Sequence, residues 1–587
     1  NGQNFTTSTD TFNTAVGFFA GLAVTTGVSN TLIGGLAGDA LTDADFNVAV
    51  GKEALTTDTL GSKSVAVGMG TLANQNFTTA TDSFNTAIGH IAGNAITTGT
   101  LNTLIGGLTG DALTTGFANV VMGGQALSAE DTGRKNVAIG FAALELQNYD
   151  ADNLNVAVGF YAGAAVTTGI QNTFVGGLAG DATDDGAYNT AVGHVALSAN
   201  CGNENTAVGY AALQNTTSAE NTAVGSAAGF SLTDVSGGVF IGQHAGLFAT
   251  TASNSTFVGH SAGQGITGTK LTGNNNVAVG TNAGLVLQGA AADNAILGAF
   301  AGAQQTTGTR TAALGYKAGY NLTTGHSNVA IGWQALLTED AHSNNVAVGA
   351  SALQTQNAGA HAYNTAVGFQ VGASITTGIR NVLIGGLTGD ALTDADDNTA
   401  LGMDALSADT LGSKSTAVGK GALNVQNFTT ATDTFNTAVG YLAGTAVTTG
   451  VENTLIGGLA GDAITTGSLN TAVGSGALGS TTTGPSNSAF GRSALHTNTT
   501  GHSNNAFGSD LPGVVAGSAL QANTTGYRNS AFGGSALATN TEGFENTAMG
   551  GAALHLNTTG DNNTAVGYKA LLSNTTAGDN TAVGFQA

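Results

Sequence analysis

Few of the residues that could do chemistry in this chain keep a useful spacing. There are 36 acidic residues, 10 histidines and a single cysteine. The acids gather in three places: Asp39, Asp43 and Asp45; Asp181, Asp184 and Asp185; and Asp390, Asp394, Asp396 and Asp397. Calcium takes such clustered oxygens, but the chain has neither an EF-hand loop nor the Gly-Gly-x-Gly-x-Asp solenoid motif, and these clusters read as solvated acidic turns. The histidines fall at variable positions, with no zinc spacing and no nucleophile elbow. A glycan-cleaving enzyme would need paired carboxylates in a groove, and none is legible. Cys201 lies in the turn Ala199-Asn200-Cys201-Gly202 and can form no intrachain disulfide. The expectation is a protein that is not an enzyme and carries no cofactor or metal.

One chemistry-bearing type does hold a fixed position. The motif Asn-Thr/Val-Ala-Val/Ile-Gly recurs along the chain, and the residue after its glycine is aromatic or histidine in 13 of 33 copies. Examples are Phe18, His90, Phe141, Phe160, Tyr210, His260, Tyr316, Trp333, Phe369, Tyr441 and Tyr568. If the copies stack in register, these residues form one broken stripe. Two readings stand: a sugar-stacking or receptor-contacting surface, with Phe18, Tyr210, Tyr316, Trp333, Phe369, Tyr441 and Tyr568 as candidate contacts, or a column packed between subunits or against the next turn.

The elements that would position this stripe follow from the repeat. The motif glycine falls at Gly17, Gly34, Gly51, Gly68, Gly89 and onward to Gly584, and 23 of the 32 intervals are 17 residues. In each copy, such as Asn221-Thr222-Ala223-Val224-Gly225, side chains alternate with period two, as in a short strand. Thr222 and Val224 would share one face and Ala223 the other. A bend of the type x-x-Ala-Leu or x-x-Ala-Gly follows, then a turn such as Asn215-Thr216-Thr217. Apolar residues never persist at helical spacing, and glycine is too frequent for a stable helix. A unit this small cannot bury its own apolar face, so it must stack on its neighbours. The fold class expected is all-β: a β-solenoid, or β-roll, of about 33 rungs, continuous over 1–587. At about 4.8 Å per rung it would make a rod of roughly 160 Å. The valines, as at Val224, are expected to fill the interior. The leading asparagines should form a side-chain ladder.

Above the rung lies a four-rung order. Leu32-Ile33-Gly34-Gly35-Leu36-Ala37-Gly38-Asp39-Ala40 returns at Leu104–Ala112, Phe174–Ala182, Leu383–Ala391 and Leu455–Ala463. Longer loops keep the same beat at Asn76–Phe84, Asn148–Leu154, Asn357–Tyr363 and Asn427–Phe435, and should project from one side. A local interruption is expected near 509–516, around Asp510-Leu511-Pro512-Gly513, because proline cannot join an internal ladder.

Composition narrows the setting. With 91 glycines, 2 prolines and 8% charged residues, the chain is neither collagen-like nor disordered. A net charge of −23 disfavours nucleic acid as a partner. The apolar and glycine runs, such as Ala15 to Val24, are too short to span a bilayer, so direct membrane insertion is not expected. Asn-Phe-Thr and Asn-Thr-Thr match glycosylation sequons, but Asn and Thr fill every turn and the match carries no weight. The sequence opens on Asn1 with no secretory leader and closes at Ala587 without a polar cap, which reads as a processed or excised segment that continues or joins another subunit.

Asn563-Thr564-Ala565-Val566-Gly567-Tyr568-Lys569-Ala570-Leu571 resembles the repeat arrays of bacteriophage tail fibres and, less closely, the Ser-Val-Ala-Ile-Gly-x-x-Ala head repeats of trimeric autotransporter adhesins. The resemblance covers the whole chain. It implies a left-handed β-roll, a parallel homotrimer, an extracellular, virion or cell-surface location, and attachment to a host or cell surface. The repeat departs from the adhesin heads in being longer, and no coiled-coil stalk or membrane anchor accompanies it. The small alanine face, as at Ala223, is the expected trimer contact. A structural spacer or an end-to-end filament subunit is the alternative.

Overall fold

The computed structural model describes residues 8–510 and 517–587. They form two units, up to Asp293 and from Asn294 onward. Each is a parallel β-solenoid, and together they comprise about 33 turns at roughly 17-residue spacing, with no helix among the described residues. The first unit runs from strand Thr14–Val16 to Val277–Val279, the second from Ala295–Leu297 to Thr581–Val583.

One turn shows why the sequence closes on itself. Strand Thr547–Met549 pairs in parallel with Thr564–Val566, each residue opposite its counterpart one repeat later. The chain must then turn three corners, and it does so through left-handed residues: Ala552, Leu554 and Asn562 have φ of 54°, 51° and 57°. Gly550 follows the strand with φ 137°, and a Cβ there would lie 2.5 Å from the Gly567 carbonyl oxygen of the next turn. Only glycine fits that approach.

The expected asparagine ladder is present, and it works through the backbone. The Asn563 N–H donates to Asn546 Oδ1 at 3.0 Å, while Asn546 Nδ2 donates to the Gly560 carbonyl at 2.8 Å. Each buried amide thus ties a strand to the turn beside it and satisfies groups that would otherwise be buried unpaired.

The strand faces are the reverse of the sequence expectation. Ala223 is fully buried, whereas Val224 is 38% exposed. The cause is space. The interior of a 17-residue turn is narrow, and the middle strand residue shares it with the residue four places after the motif glycine. The two compensate in size. Where the strand carries Ala548, the bend carries buried Leu554. Where the strand carries Leu455 or Phe257, the bend carries Gly461 or Gly263, and a Cβ there would lie 2.8 Å from Leu455 Cδ2 or 2.6 Å from the Phe257 ring. Glycine also stands in the bend after an alanine strand, as at Gly229 after Ala223, where Leu232 three residues on and Leu213 of the turn before fill the space.

A second compensation follows three residues later. Leu392, Val447 and Ile464 are buried there in turns whose bend residue is glycine, and buried polar residues stand there in turns whose bend residue is leucine. In the second unit these polar residues make another ladder. Asn523, Asn540 and Asn557 each donate through Nδ2 to the Oδ1 of the preceding member, at 2.7, 2.8 and 2.9 Å. Asn523 and Asn557 begin Asn-Thr-Thr sequons, and their burial removes them as glycan acceptors.

The same position holds four buried acids, each followed one turn later by a glutamine and then a long loop. Asp58 accepts from Gln75 Nε2 at 2.6 Å, from the Gly61 N–H at 3.0 Å and from the Phe77 N–H at 3.1 Å. Asp409 repeats the arrangement with Gln426, Gly412 and Phe428. Glu130 and Glu339 receive Gln147 and Gln356. The loops therefore do not simply project: Phe77 and Phe428 tuck inward. Burial pushes the Asp58 and Asp409 carboxyls above the usual range, against several hydrogen bonds that pull them down. A folded-state pKa above the unfolded one means that the folded chain holds the proton more tightly. The resulting stabilisation is fully present below the unfolded value and is lost as pH rises through the raised one. Between pH 3.5 and 7 the melting temperature of wild type should therefore fall relative to that of Asp58→Asn/Asp409→Asn. Parallel melting curves for the two would contradict the burial argument.

Asp510 lies within the expected interruption, paired with Arg492 at 2.5 Å and accepting from Ser518 Oγ at 3.1 Å. The remainder of that expectation, at 511–516, falls outside the described residues.

Candidate functional site

The residue after the motif glycine leaves the strand on the outer surface of the turn. Phe18, Tyr210, Tyr316, Trp333, Phe369 and Tyr441 are all exposed, and so are His90, Phe141, Phe160 and His260. Tyr568 is half-buried, stacked on Phe585 at 5.4 Å. Within each unit, then, these side chains do form a surface column. Rings on consecutive turns meet: Phe141 and Phe160 stack at 5.9 Å, and His194 lies parallel to Tyr210 at 5.9 Å.

A second exposed column escaped the sequence reading. The residue before the ladder asparagine is left-handed and points outward, as at Phe46, Phe84, Tyr188, Tyr363 and Phe435. Lys63 and Lys414 lie over the Phe84 and Phe435 rings at 5.0 and 5.3 Å. The available signal was the fixed place of these residues beside the repeat's asparagine. Between the two columns run the outward strand residues, Val224 and Ile241 among them, so the outer face of the sheet is largely apolar.

The acidic turns do not converge on a common point. Asp43 and Asp394 accept from Thr26 and Thr377 Oγ1 one turn away, each at 2.6 Å. Asp45 and Asp396 accept from the Val28 and Ile379 N–H groups at 2.8 Å. Asp181 accepts from Ser198 Oγ at 2.5 Å, Asp184 accepts from Thr167, and Asp397 is held by Arg380 at 2.6 Å. Each is occupied by the neighbouring turn. Among the described residues, Glu339, Asp340 and His342 are the one group of three potential metal ligands that meet. Glu339 is already bound to His342 Nδ1 at 2.8 Å and to Gln356 at 3.2 Å, and burial raises its pKa.

Cys201 is buried beside Thr183 Oγ1 at 3.4 Å, and burial pushes its thiol up, away from the reactive thiolate. No described helix is long and apolar enough to cross a membrane. No protein-family model matches the sequence, and neither does any curated protein.

Proposed function

We propose that this chain is a non-enzymatic segment of an extracellular fibre or adhesin, on a virion or cell surface, that attaches to a host or cell surface. The observation that carries this reading is the column of exposed aromatic side chains held at a fixed place on successive turns. Large rings left in water on a scaffold with ample buried positions are what a contact surface requires. Repetition adds to it, since weak contacts made together gain avidity. The partner is a surface glycan or receptor. The high negative charge argues against nucleic acid.

Replacing Tyr316, Trp333 and Phe369 by alanine should weaken attachment to target cells at least tenfold while leaving the melting temperature nearly unchanged. Early melting would show instead that the column is structural and would favour a spacer role. Cleavage of a purified surface polysaccharide by the protein would overturn the non-enzymatic reading.

Self-association is part of the same proposal, on a different face from the one expected. Ala223 lies inside each copy and cannot hold an interface. The outward columns of Thr, Val and Ile can. About seventeen turns of such a face, about 4.8 Å apart and roughly 10 Å wide over a three-residue strand, cover on the order of 800 Å², matching what each partner contributes to a standard interface. We place the association of copies as a homotrimer on the Thr and Val columns, with the aromatic column at their rim; the alternative, an end-to-end filament, does not use this lateral face. Sedimentation of wild type as a stable 57.3 kDa monomer would refute association, and mass growing with concentration would favour the filament.

A further inference from the structure

We propose that five positions of the aromatic column are notches for a single pyranose ring of a neutral surface polysaccharide; this rests on the attachment reading above. At Phe18, His90, Phe160, Phe369 and Tyr441, the next turn carries glycine in the same column: Gly35, Gly107, Gly177, Gly386 and Gly458. These are the second glycines of the four-turn motif. The backbone does not call for them. None has a positive φ, and a Cβ would find nothing nearer than 4.0, 3.9, 3.5, 4.0 and 4.0 Å respectively. A Cβ would fit at each, yet each of these turns carries none beside a ring or imidazole.

The direction in which the side chains lean gives the vacancy its consequence. A Cβ at Gly124, Gly177 or Gly386 would meet Phe141, His194 or Met403, each from the following turn. No ring atom of the preceding turn comes within 4 Å of the Cβ at Gly35, Gly107, Gly177 or Gly458. Side chains of this column therefore lean back toward the turn before, and each covers the far face of its predecessor. Glycine leaves that face open. The exposures agree: Phe160, Phe369 and Tyr441, followed by glycine, are each 56% exposed, and Tyr210 and Trp333, followed by Ser226 and Ala350, are 60 and 51% exposed, whereas Phe141 and Tyr316, followed by another ring, are 43 and 42% exposed.

Each notch has the open ring as one wall and the glycine as floor. In two of them the far wall is visible as the side chain two turns on, His194 above Phe160 and Met403 above Phe369. Two turns span about 9.6 Å, which admits one saturated ring at contact distances of about 3.5–4 Å on each side. The negative face of an aromatic ring attracts the C–H groups of a pyranose. The net charge of −23 disfavours an anionic glycan. Within a unit successive notches are four turns apart, about 19 Å, so one polysaccharide chain lying along the column can enter several.

The test fills the notches without touching the rings. In Gly177→Leu/Gly386→Leu/Gly458→Leu the new side chains should lean back over Phe160, Phe369 and Tyr441, and the melting temperature should stay within about 2 °C of wild type. Wild type and variant are applied to printed arrays of purified neutral and anionic bacterial polysaccharides and to whole target cells. The proposal expects wild type to be retained on neutral polysaccharide and the variant to bind at least tenfold less. Equal retention of the two, or retention on anionic polysaccharide alone, overturns it. A variant that loses array binding but still holds cells leaves both proposals standing, with a second contact on the cell. Wild type that binds cells but no polysaccharide sinks the notches and spares the attachment reading; wild type that binds neither sinks both.

Discussion

Ala223→Asp is expected to collapse several turns of the first unit, and Val224→Asp, one residue away, to leave them folded. Ala223 is fully buried, in register with Ala207 on one side and Phe240 on the other. A carboxylate there has no cation and no donor within a narrow apolar interior, and the cost should be about 3–5 kcal/mol. Because each turn rests only on its neighbours, the loss spreads along the stack. Val224 already faces outward, so an aspartate there keeps its water; its effect should fall on the association of copies. Circular dichroism and melting of the two variants side by side check this. A Val224→Asp chain that unfolds as readily as Ala223→Asp would contradict the assignment of faces.

The second large effect belongs to the motif glycine. Gly225 has φ 134°, and a Cβ on it would stand 2.6 Å from the Gly242 carbonyl carbon and oxygen. Gly225→Ala therefore combines a strained backbone, about 1–3 kcal/mol, with overpacking against immovable backbone, about 1–3 kcal/mol more. Gly177→Ala is the matched control, since its φ is ordinary and its nearest neighbour is 3.5 Å away. The first should lower the melting temperature by several degrees and the second should not. Equal melting of the two would mean that the stacking of turns is looser than described.

These two substitutions also mark where the sequence was legible. The 17-residue beat and the obligatory glycine gave a stacked β-fold directly, because no other arrangement lets so small a unit bury its apolar side. Which face turned inward was not legible. Period-two alternation separates Ala223 from Val224 but does not orient them, and the more hydrophobic residue looked like the core. The deciding quantity was interior volume, visible only once Leu554 and Gly461 are seen to trade size with Ala548 and Leu455. Buried Asp58 and the Asn523 ladder were missed for a related reason: in a globular chain such residues are solvated, whereas in a stack each finds its partner one turn away. The aromatic column was legible from position alone. Its open and covered faces were not, because they depend on the direction in which side chains lean.

Trp333 allows the column to be examined with a native probe, since it is the single tryptophan of the chain. It is 51% exposed in the isolated chain. Iodide quenching of its fluorescence, in the free protein and after binding to target cells, reports whether the column faces solvent or a packed surface. Long-wavelength, readily quenched emission is expected in the free protein at its working oligomeric state, shifting to shorter wavelength and protected once bound. Emission already protected in the free protein, and unchanged on binding, would contradict it.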